Sequence, residues 1–340
     1  MRSVTISDVA ALAKVSTATV SRALATPGRV SAEARERVLA AVRQTGYTPN
    51  VAARSLRVAR SMMVLVVVPW QITPFFSDLL LFIDRALAAH GYGMLVGDLH
   101  DRAEQEPRLV QLAAAGQVDG LILLNGDVLS DGERRVDEMG VPIVGLCVPA
   151  GPKIAAVLVD DFGGGAAVAR HFLELGHKRF GYVAGPADNH NEVERFRGFR
   201  QTLVTAGIPG SSLDVFAGDF HIASGAAAGR QFLMSKKRPT AIFCASDIMA
   251  MGFMHCIQAS GVRVPADVSV AGFDGLEIAQ YSSPSLTTVV QPCAHMGKAA
   301  ANHLLDILGT ATTDCAQSAS TMVLEVCLRE GGSTAPPPSG

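Results

Sequence analysis

At 340 residues the chain is long enough for two or three domains and a large buried interior. Hydrophobic residues make up 49% of it, yet the longest apolar runs, such as 62–68, fall far short of the ~20 residues that span a bilayer, and Met1-Arg2-Ser3-Val4-Thr5 holds no apolar signal segment. A soluble cytoplasmic protein without a membrane partner is expected. The net charge of −2 conceals a split: residues 1–60 hold ten arginines and lysines against three acids, a formal +7, which leaves −9 for the rest. A basic head on an acidic body points to a polyanion at the head and disfavours nonspecific wrapping by the body.

Thr5 or Ser7 can cap a first helix over 8–13, with Asp8 near its positive end. Lys14-Val15 is a turn into a second helix; φ is positive at such turns, so Lys14 carries a cost on the order of 1 kcal/mol relative to glycine. In the stretch 15–24, Ser16 is a suitable N-cap. Thr17, Ala18, Ser21 and Arg22 share the outward side, and Val20 and Leu24, four apart, the inward one. Small residues followed one turn later by an arginine can enter a major groove, where the planar fork matches O6 and N7 of guanine. A short amphipathic surface helix would show the same pattern, and the coincident basic charge favours recognition. After Pro27-Gly28, Ser31 opens a third helix with Val38 and Val42 inward, and Gly46 closes it. Pro49 stops the head. Asn50 can cap a short segment through Arg57 that is too brief to hold a helix in water alone; its Leu56 is apolar among arginines with no core of its own.

From Met62 onward strands and helices alternate. A buried-strand run over 63–69 precedes a helix with Phe76, Leu79, Ile83 and Leu87 at helical spacing, closed by Gly91; strands follow at 93–97, 120–124 and 142–146. The series resumes with a strand near 157–159, a helix over 163–175 and strands at 180–184, 241–244 and 268–271. Such alternation implies parallel sheets with right-handed crossovers, and two consecutive sets imply two lobes around a cleft. Ligands in open parallel sheets sit beyond the carboxyl ends of strands, where Phe75, Asp160, Asp161, Asp247 and Asp274 fall.

Little in the chain suggests catalysis. There is no P-loop, His-Glu-x-x-His or Gly-x-Ser-x-Gly sequence. Gly163-Gly164-Gly165 follows a strand and reads as a helix start more readily than a phosphate cradle. Asp160 and Asp161 are adjacent, so in an extended strand they face opposite ways and make a poor acid/base pair. His171 and His177 do not share a helix face, His295 and His303 lack a thiolate or carboxylate pattern, and the six cysteines hold no Cys-x-x-Cys pair, so neither a metal nor a cofactor is expected and the thiols read as reduced and mostly buried.

With head, hinge and two-lobed body assembled, the chain resembles the lactose/galactose repressor (LacI/GalR) family of bacterial transcription regulators. The matching pieces include Thr5-Ile6-Ser7-Asp8-Val9-Ala10, Gly46-Tyr47-Thr48-Pro49-Asn50, Ala53-Arg54-Ser55-Leu56, Pro74-Phe75-Phe76, Val118-Asp119-Gly120, Leu175-Gly176-His177, Gly272-Phe273-Asp274 and Leu286-Thr287-Thr288-Val289-Val290-Gln291-Pro292. Within the family, residues 14–24, Ala89-His90-Gly91-Tyr92 and Phe243-Cys244-Ala245-Ser246-Asp247 look most similar to members that respond to a nucleoside.

The resemblance implies an all-α helix-turn-helix head on an α/β periplasmic-binding-protein-like core of two parallel, Rossmann-like subdomains. The expected limits are 1–49 for the head, 50–60 for the hinge helix and linker, and 61–332 for an effector-binding and dimerisation core. The core divides into an N-subdomain (about 62–159 and 290–318) and a C-subdomain (about 160–289 and 319–330), and the Pro-rich tail 333–340 is expected to be disordered. The implied partners are double-stranded operator DNA, a small effector and a second copy of the chain, as a homodimer or higher oligomer. DNA contacts map onto Thr5, Ser16, Thr17, Ala18, Thr19, Ser21 and Arg22, and hinge contacts onto Asn50, Ala53 and the minor-groove wedge Leu56. Effector contacts map onto Phe75, Phe76, Cys147, Arg195, Phe220, Ser246, Asp274 and Cys293. Cys147 stands where many relatives have aspartate or asparagine, and Ser246 where many have asparagine, departures that weigh against a plain sugar. The expectation is a ligand-responsive repressor, not an enzyme, sensing a nucleoside or else a sugar. A cleft hydrolase fused to a DNA-binding head, lacking a recognisable nucleophile, and an architectural DNA-binding protein whose body only dimerises are the rival readings.

Overall fold

A computed structural model describes residues 4–25, 27–47, 60–69, 73–310 and 320–338, and the chain divides into two units, Met1–Ser61 and Met62–Gly340. The expected hinge residues Asn50, Ala53 and Leu56 lie outside the described residues.

The first unit holds α1 (Ile6–Ala13), α2 (Thr17–Ala25) and α3 (Ala32–Thr45). Thr5 starts α1, its N–H and hydroxyl both donating to Asp8 Oδ2 at 2.8 Å. Lys14 ends α1 in the left-handed region at φ 54°, as the turn requires, and Ser16 Oγ accepts from Thr19 N at 3.1 Å to begin α2. Gly46 closes α3 at φ 66°. Val9, Val20, Ala23, Val38 and Ala41 form a small core at the meeting of the three helices. So few large side chains bury only a modest apolar area.

The second unit has two lobes. Lobe one holds β1 (Met63–Val68), α4 (Pro74–Ala88), β2 (Gly93–Asp98), α5 (Arg102–Ala114), β3 (Gly120–Leu123), β4 (Ile143–Leu146) and β5 (Ala155–Val159). Lobe two follows with α6 (Asp161–Glu174), β6 (Phe180–Val183), α7 (His190–Thr205), β7 (Leu213–Phe216), α8 (Ile222–Met234), β8 (Ala241–Cys244), α9 (Asp247–Ala259), β9 (Ser269–Asp274) and β10 (Thr287–Val290). The chain then returns for α10 (Cys293–Thr310) and β11 (Thr321–Leu324) in lobe one and β12 (Cys327–Arg329) in lobe two. The sheet orders are β11-β5-β4-β3-β1-β2 and β12-β10-β9-β8-β6-β7. All pairings are parallel except the antiparallel edge pair β10–β12. In each sheet the strand order reverses beside the first strand of the lobe, β1 or β6, which opens a crevice at the carboxyl ends.

The strands are continuous Val/Ile/Leu/Phe runs because helices cover both faces, and α4 buries Phe75, Leu79, Ile83 and Leu87 at four-residue intervals. Helices α6 and α7 cross backbone to backbone: a Cβ at Gly165 would fall on the Arg195 carbonyl, and one at Gly198 on the Phe162 carbonyl. Gly165 is therefore a packing residue as well as part of a helix start.

Two expectations are corrected. The span 319–330 does not belong wholly to the second lobe, since Thr321–Leu324 pairs with β5 at the edge of the first sheet. The tail 333–340 is not disordered through its first residues. Ser333 is fully buried, its Oγ donating to Val270 O at 2.6 Å and accepting from Thr287 N at 2.8 Å, while Val270 N donates to Ser333 O and His177 Nε2 lies 2.9 Å from Ala335 O. These bonds satisfy backbone groups at the amino ends of β9 and β10 that burial would otherwise leave orphaned. Strands β7, β10, β11 and β12, absent from the expected series, are short and carry polar or exposed positions that blur the apolar run.

Candidate functional site

In the head, Thr17, Ala18 and Arg22 are exposed on the outer side of α2 with half-buried Ser21 beside them, opposite buried Val20 and Ala23. Arg22 lies back along the helix, its Nε donating to Ala18 O at 3.2 Å. Ser16 and Thr19 hydroxyls are 2.9 Å apart, so both belong to the cap. The outward face is small and flat apart from one long cationic side chain, which lets a helix approach a polyanion closely.

In the body, a cavity opens between the carboxyl ends of the two sheets. It is lined by Thr73, Phe75 and Phe76 from lobe one and by Asn189, Asn191, Arg195, Phe220, Ser246 and Asp274 among the residues from lobe two. Six of the eight expected effector residues thus converge on one cleft. Cys147 and Cys293 do not line it: Cys147 is buried, and burial and the nearby Asp161 raise its thiol well above the ordinary range, while burial pushes Cys293 up to about 12. Both thiols stay neutral and apolar in character.

Each lining group has a structural reason for its place. Pro74 opens α4 behind Thr73, delivering Phe75 and Phe76 with ring centroids 5.4 Å apart, edge to face. Asn189 caps α7, its Oδ1 accepting from Asn191 N and Glu192 N. Ser246 caps α9 through Met249 N. Phe220 packs on Gly185, where a Cβ would meet its ring. Three residues of the expected site, Cys147, Phe220 and Asp274, hold positive φ of 71°, 67° and 121°, conformations costing of order 1–3 kcal/mol each that cluster here.

Arg195 is the electrostatic centre. It is 4% exposed, lies 3.7 Å over the Phe273 ring centroid, donates through Nε to Asp161 at 2.6 Å and through Nη1 to Ala245 O at 2.7 Å, and stands 3.9 Å from Asp274. Burial raises the Asp161 carboxyl despite this ion pair. Burial also lifts Asp274 to about 6, while Arg195 and a 2.9 Å bond from Gln291 Nε2 pull the other way. Fully buried Asp247 is raised well above the carboxylate range by burial and by Asp274, although Thr288 and Leu276 N donate to it. Adjacent Asp160 and Asp161 do part company: Asp160 is exposed and caps α6, and Asp161 turns inward. The counter-ion role of Asp161 was missing from the sequence reading. So was Asn191, whose Oδ1 is buried without a hydrogen-bond partner among the described residues. An asparagine in a helix's first turn reads as a cap, which conceals its place in the cleft.

His171 and His177 sit in the network that holds residues 334–335, away from the cleft lining. Among the described residues no group of three His, Cys, Asp or Glu is disposed to hold a metal, and no helix is long and apolar enough to cross a membrane.

A family model described as "Bacterial regulatory proteins, lacI family" matches residues 5–50, and one described as "Periplasmic binding protein-like domain" matches 169–334. The chain is 36% identical over 304 residues to the HTH-type transcriptional repressor CytR of Escherichia coli (strain K12), covering 89% of each. It is similar to the transcriptional regulator CelR–cellobiose complex, at 33% identity over 97% of this chain and 99% of that one with a TM-score of 0.70. It is also similar to the lac repressor dimer bound to operator and the anti-inducer ONPF, at 28% identity over 98% and 100% with a TM-score of 0.82. A three-helix head, two parallel-sheet lobes and similarity at this level over nearly the full length make this protein a member of the LacI family of transcriptional repressors.

Proposed function

We propose that the protein is a homodimeric, ligand-responsive repressor that binds a pseudo-palindromic operator and takes a nucleoside as its effector. The first residues of α2 would enter the major groove, with Thr17, Ala18, Ser21 and Arg22 at base edges and Thr5, Ser16 and Thr19 beside them; Asn50, Ala53 and Leu56 would enter the central minor groove. Exposed apolar side chains on both lobes, Leu95 and Val96 on the edge strand β2 and Ile222, Ile278 and Tyr281 in lobe two, support pairing of the bodies. Localisation in the cytoplasm follows from the DNA partner.

The observation that carries the effector reading is the convergence of Phe220, Arg195 and Asp274 on one cavity with Phe75 and Phe76 opposite. Aromatic faces from both lobes suit a flat base. Nε and Nη1 of Arg195 are held by Asp161 and Ala245, so Nη2 remains to donate to a base carbonyl or ribose oxygen, and Asp274 accepts from ribose hydroxyls. The buried Oδ1 of Asn191 calls for a ligand donor such as an exocyclic amine or a hydroxyl. Likeness to a cellobiose-bound regulator favours the second reading, a sugar. Neither reading uses a nucleophile or a cofactor. If closure of the cleft biases the geometry of the hinge, ligand and operator change each other's affinity by the same factor.

Calorimetry with cytidine, adenosine, ribose and glucose decides between the two. Nucleoside binding that is lost in Arg195→Ala supports the reading; tight sugar binding with no nucleoside signal overturns the ligand class, and sedimentation at micromolar concentration showing only monomer overturns the dimer.

A further inference from the structure

The cleft has two ends. The cavity at Arg195 shares Pro69, Pro186 and Asn189 with a second opening lined by His100, Arg102, Asn125, Asp127, Asp188 and His190 among others, so the two adjoin along the cleft between the lobes. Each end holds one arginine, and no lysine lines either end among the described residues.

Neither arginine has charge to spare. At the inner end Arg195 faces Asp161 at 2.6 Å and Asp274 at 3.9 Å, while burial favours the neutral form of Asp247 and Glu192 behind them. At the outer end Arg102 is held by Glu106 and by Asp127, both at 2.7 Å, and Asp188 adds a further carboxylate to the rim. Three helix N-termini at the cleft, which ordinarily attract anions, are taken up by side-chain caps: Asn189 takes the first amides of α7, Ser246 that of Met249 in α9, and Asp160 that of Gly163 in α6, while α4 and α5 start without a side-chain cap. Carboxyl groups therefore outnumber the guanidinium groups at both ends of a cleft whose inner walls have low dielectric.

We infer that this cleft admits a phosphate-free ligand and rejects its phosphorylated form, so that the regulator senses the free nucleoside and not the nucleotide. This rests on the nucleoside reading for the parent compound, while the exclusion of phosphate applies equally to a sugar. A phosphate brings up to two negative charges, and even one at about 8 Å from an unbalanced carboxylate, through an effective dielectric of about 20, weakens binding by roughly tenfold or more. The molecule sensed is then one released by phosphate-ester hydrolysis or taken up unphosphorylated, ahead of any phosphorylation step.

The test is calorimetry on the full chain with matched pairs: cytidine and its 5′-monophosphate, adenosine and its 5′-monophosphate, ribose and ribose 5-phosphate, glucose and glucose 6-phosphate. The expected result is that whichever parent binds, its phosphate binds at least about tenfold more weakly. A phosphate that binds as tightly as its parent, or more tightly, overturns the inference. Sugar pairs that discriminate while nucleosides stay silent overturn the nucleoside reading and leave the exclusion standing. Silence from every parent and every phosphate overturns both. Asp161→Asn keeps an acceptor for Arg195 and removes one charge, and Asp274→Asn does the same from the lining itself; either should narrow the gap within the binding pair severalfold. An unchanged ratio in both variants overturns the electrostatic cause.

Discussion

Arg195 and Asp161, 34 positions apart in the chain, meet across 2.6 Å in the second lobe, and the guanidinium lies on Phe273 while its remaining donors face the interlobe cavity. The pair does two things. It neutralises a charge that burial would otherwise make very costly, and it fixes the plane of the one arginine at the inner end of the cleft.

Asp161→Ala should therefore cost far more than a surface pair would. Removing one partner of a buried ion pair leaves an uncompensated charge, and the expected loss is about 3–5 kcal/mol. Asp161→Asn keeps the acceptor and should lose less. Urea unfolding of the two variants separates the outcomes; equal and small losses, within 1 kcal/mol of wild type, would show that water reaches Arg195 and that the pair is not the centre of the site.

The buried C-terminal strap leads to a second expectation. Ending the chain after Gly332 removes Ser333 from Val270 and Thr287 and Ala335 from His177 and Ser269. Each hydrogen bond is worth about 0.5–1.5 kcal/mol, and each buried amide left without a partner costs about 1–3 kcal/mol, so a loss of roughly 3 kcal/mol or more is expected. In a body of this size that lowers Tm by roughly 6 °C or more. A truncated protein that melts with the full chain would mean the strap only rests on the lobe.

Much of this architecture can be read before any coordinates, where local chemistry and long-range packing agree. Lys14 in a positive-φ turn, the caps at Ser16 and Ser31, and the spacing of Leu79, Ile83 and Leu87 are short-range signals, and the alternation from Met62 onward determines two parallel sheets. What stayed hidden depends on distant partners. The pairing of Thr321–Leu324 with β5 keeps the chain in the first lobe after its second crossing, and nothing local announces it. The tail reads as disordered from its prolines, because the groups it satisfies lie some 46 to 163 positions away. Six of the expected cleft residues line the cavity, whereas Cys147 and Cys293 sit outside the lining, since family position alone does not reveal which way a strand end or helix start turns.

On the head, Arg22→Ala tests base reading against phosphate positioning. Loss of a bidentate guanine contact costs about 1–3 kcal/mol per half-site and relaxes preference at that base pair; loss of a phosphate contact, the role expected of other exposed head arginines such as Arg37 on α3, weakens all sequences alike and lowers the salt slope by about one. Binding of Arg22→Ala and Arg37→Ala to operator and scrambled duplexes at fixed salt is the comparison. Equal losses on the two duplexes for Arg22→Ala would remove it from the base-reading set.

Asp274 sets the pH behaviour. Burial raises it from the ordinary carboxylate range to about 6, against the pull of Arg195 and Gln291 and with Asp161 adding to the rise. A carboxyl that holds its proton more tightly folded than unfolded stabilises the fold at low pH; that contribution is complete below the unfolded value near 3.8 and is lost as pH rises through about 6. Two pKa units correspond to roughly 3 kcal/mol, an upper figure because Asp247 shares the same field. Asp274→Asn keeps an oxygen for Gln291 and removes the ionisation, so the variant should be more stable than wild type at pH 7.5 and lose the advantage by about pH 4. Ligand binding should move the opposite way. If ribose hydroxyls donate to an ionised Asp274, affinity in the wild type falls as pH drops through about 6, approaching tenfold per unit below it, and Asp274→Asn binds weakly with no such dependence. Calorimetric Kd values for cytidine at several pH values between 5 and 7.5, alongside Tm for both proteins in the same buffers, test the two slopes together. A wild-type affinity flat across that range, or a variant less stable than wild type at pH 7.5, would show that Asp274 is not an ionised acceptor held at a cost to the empty fold.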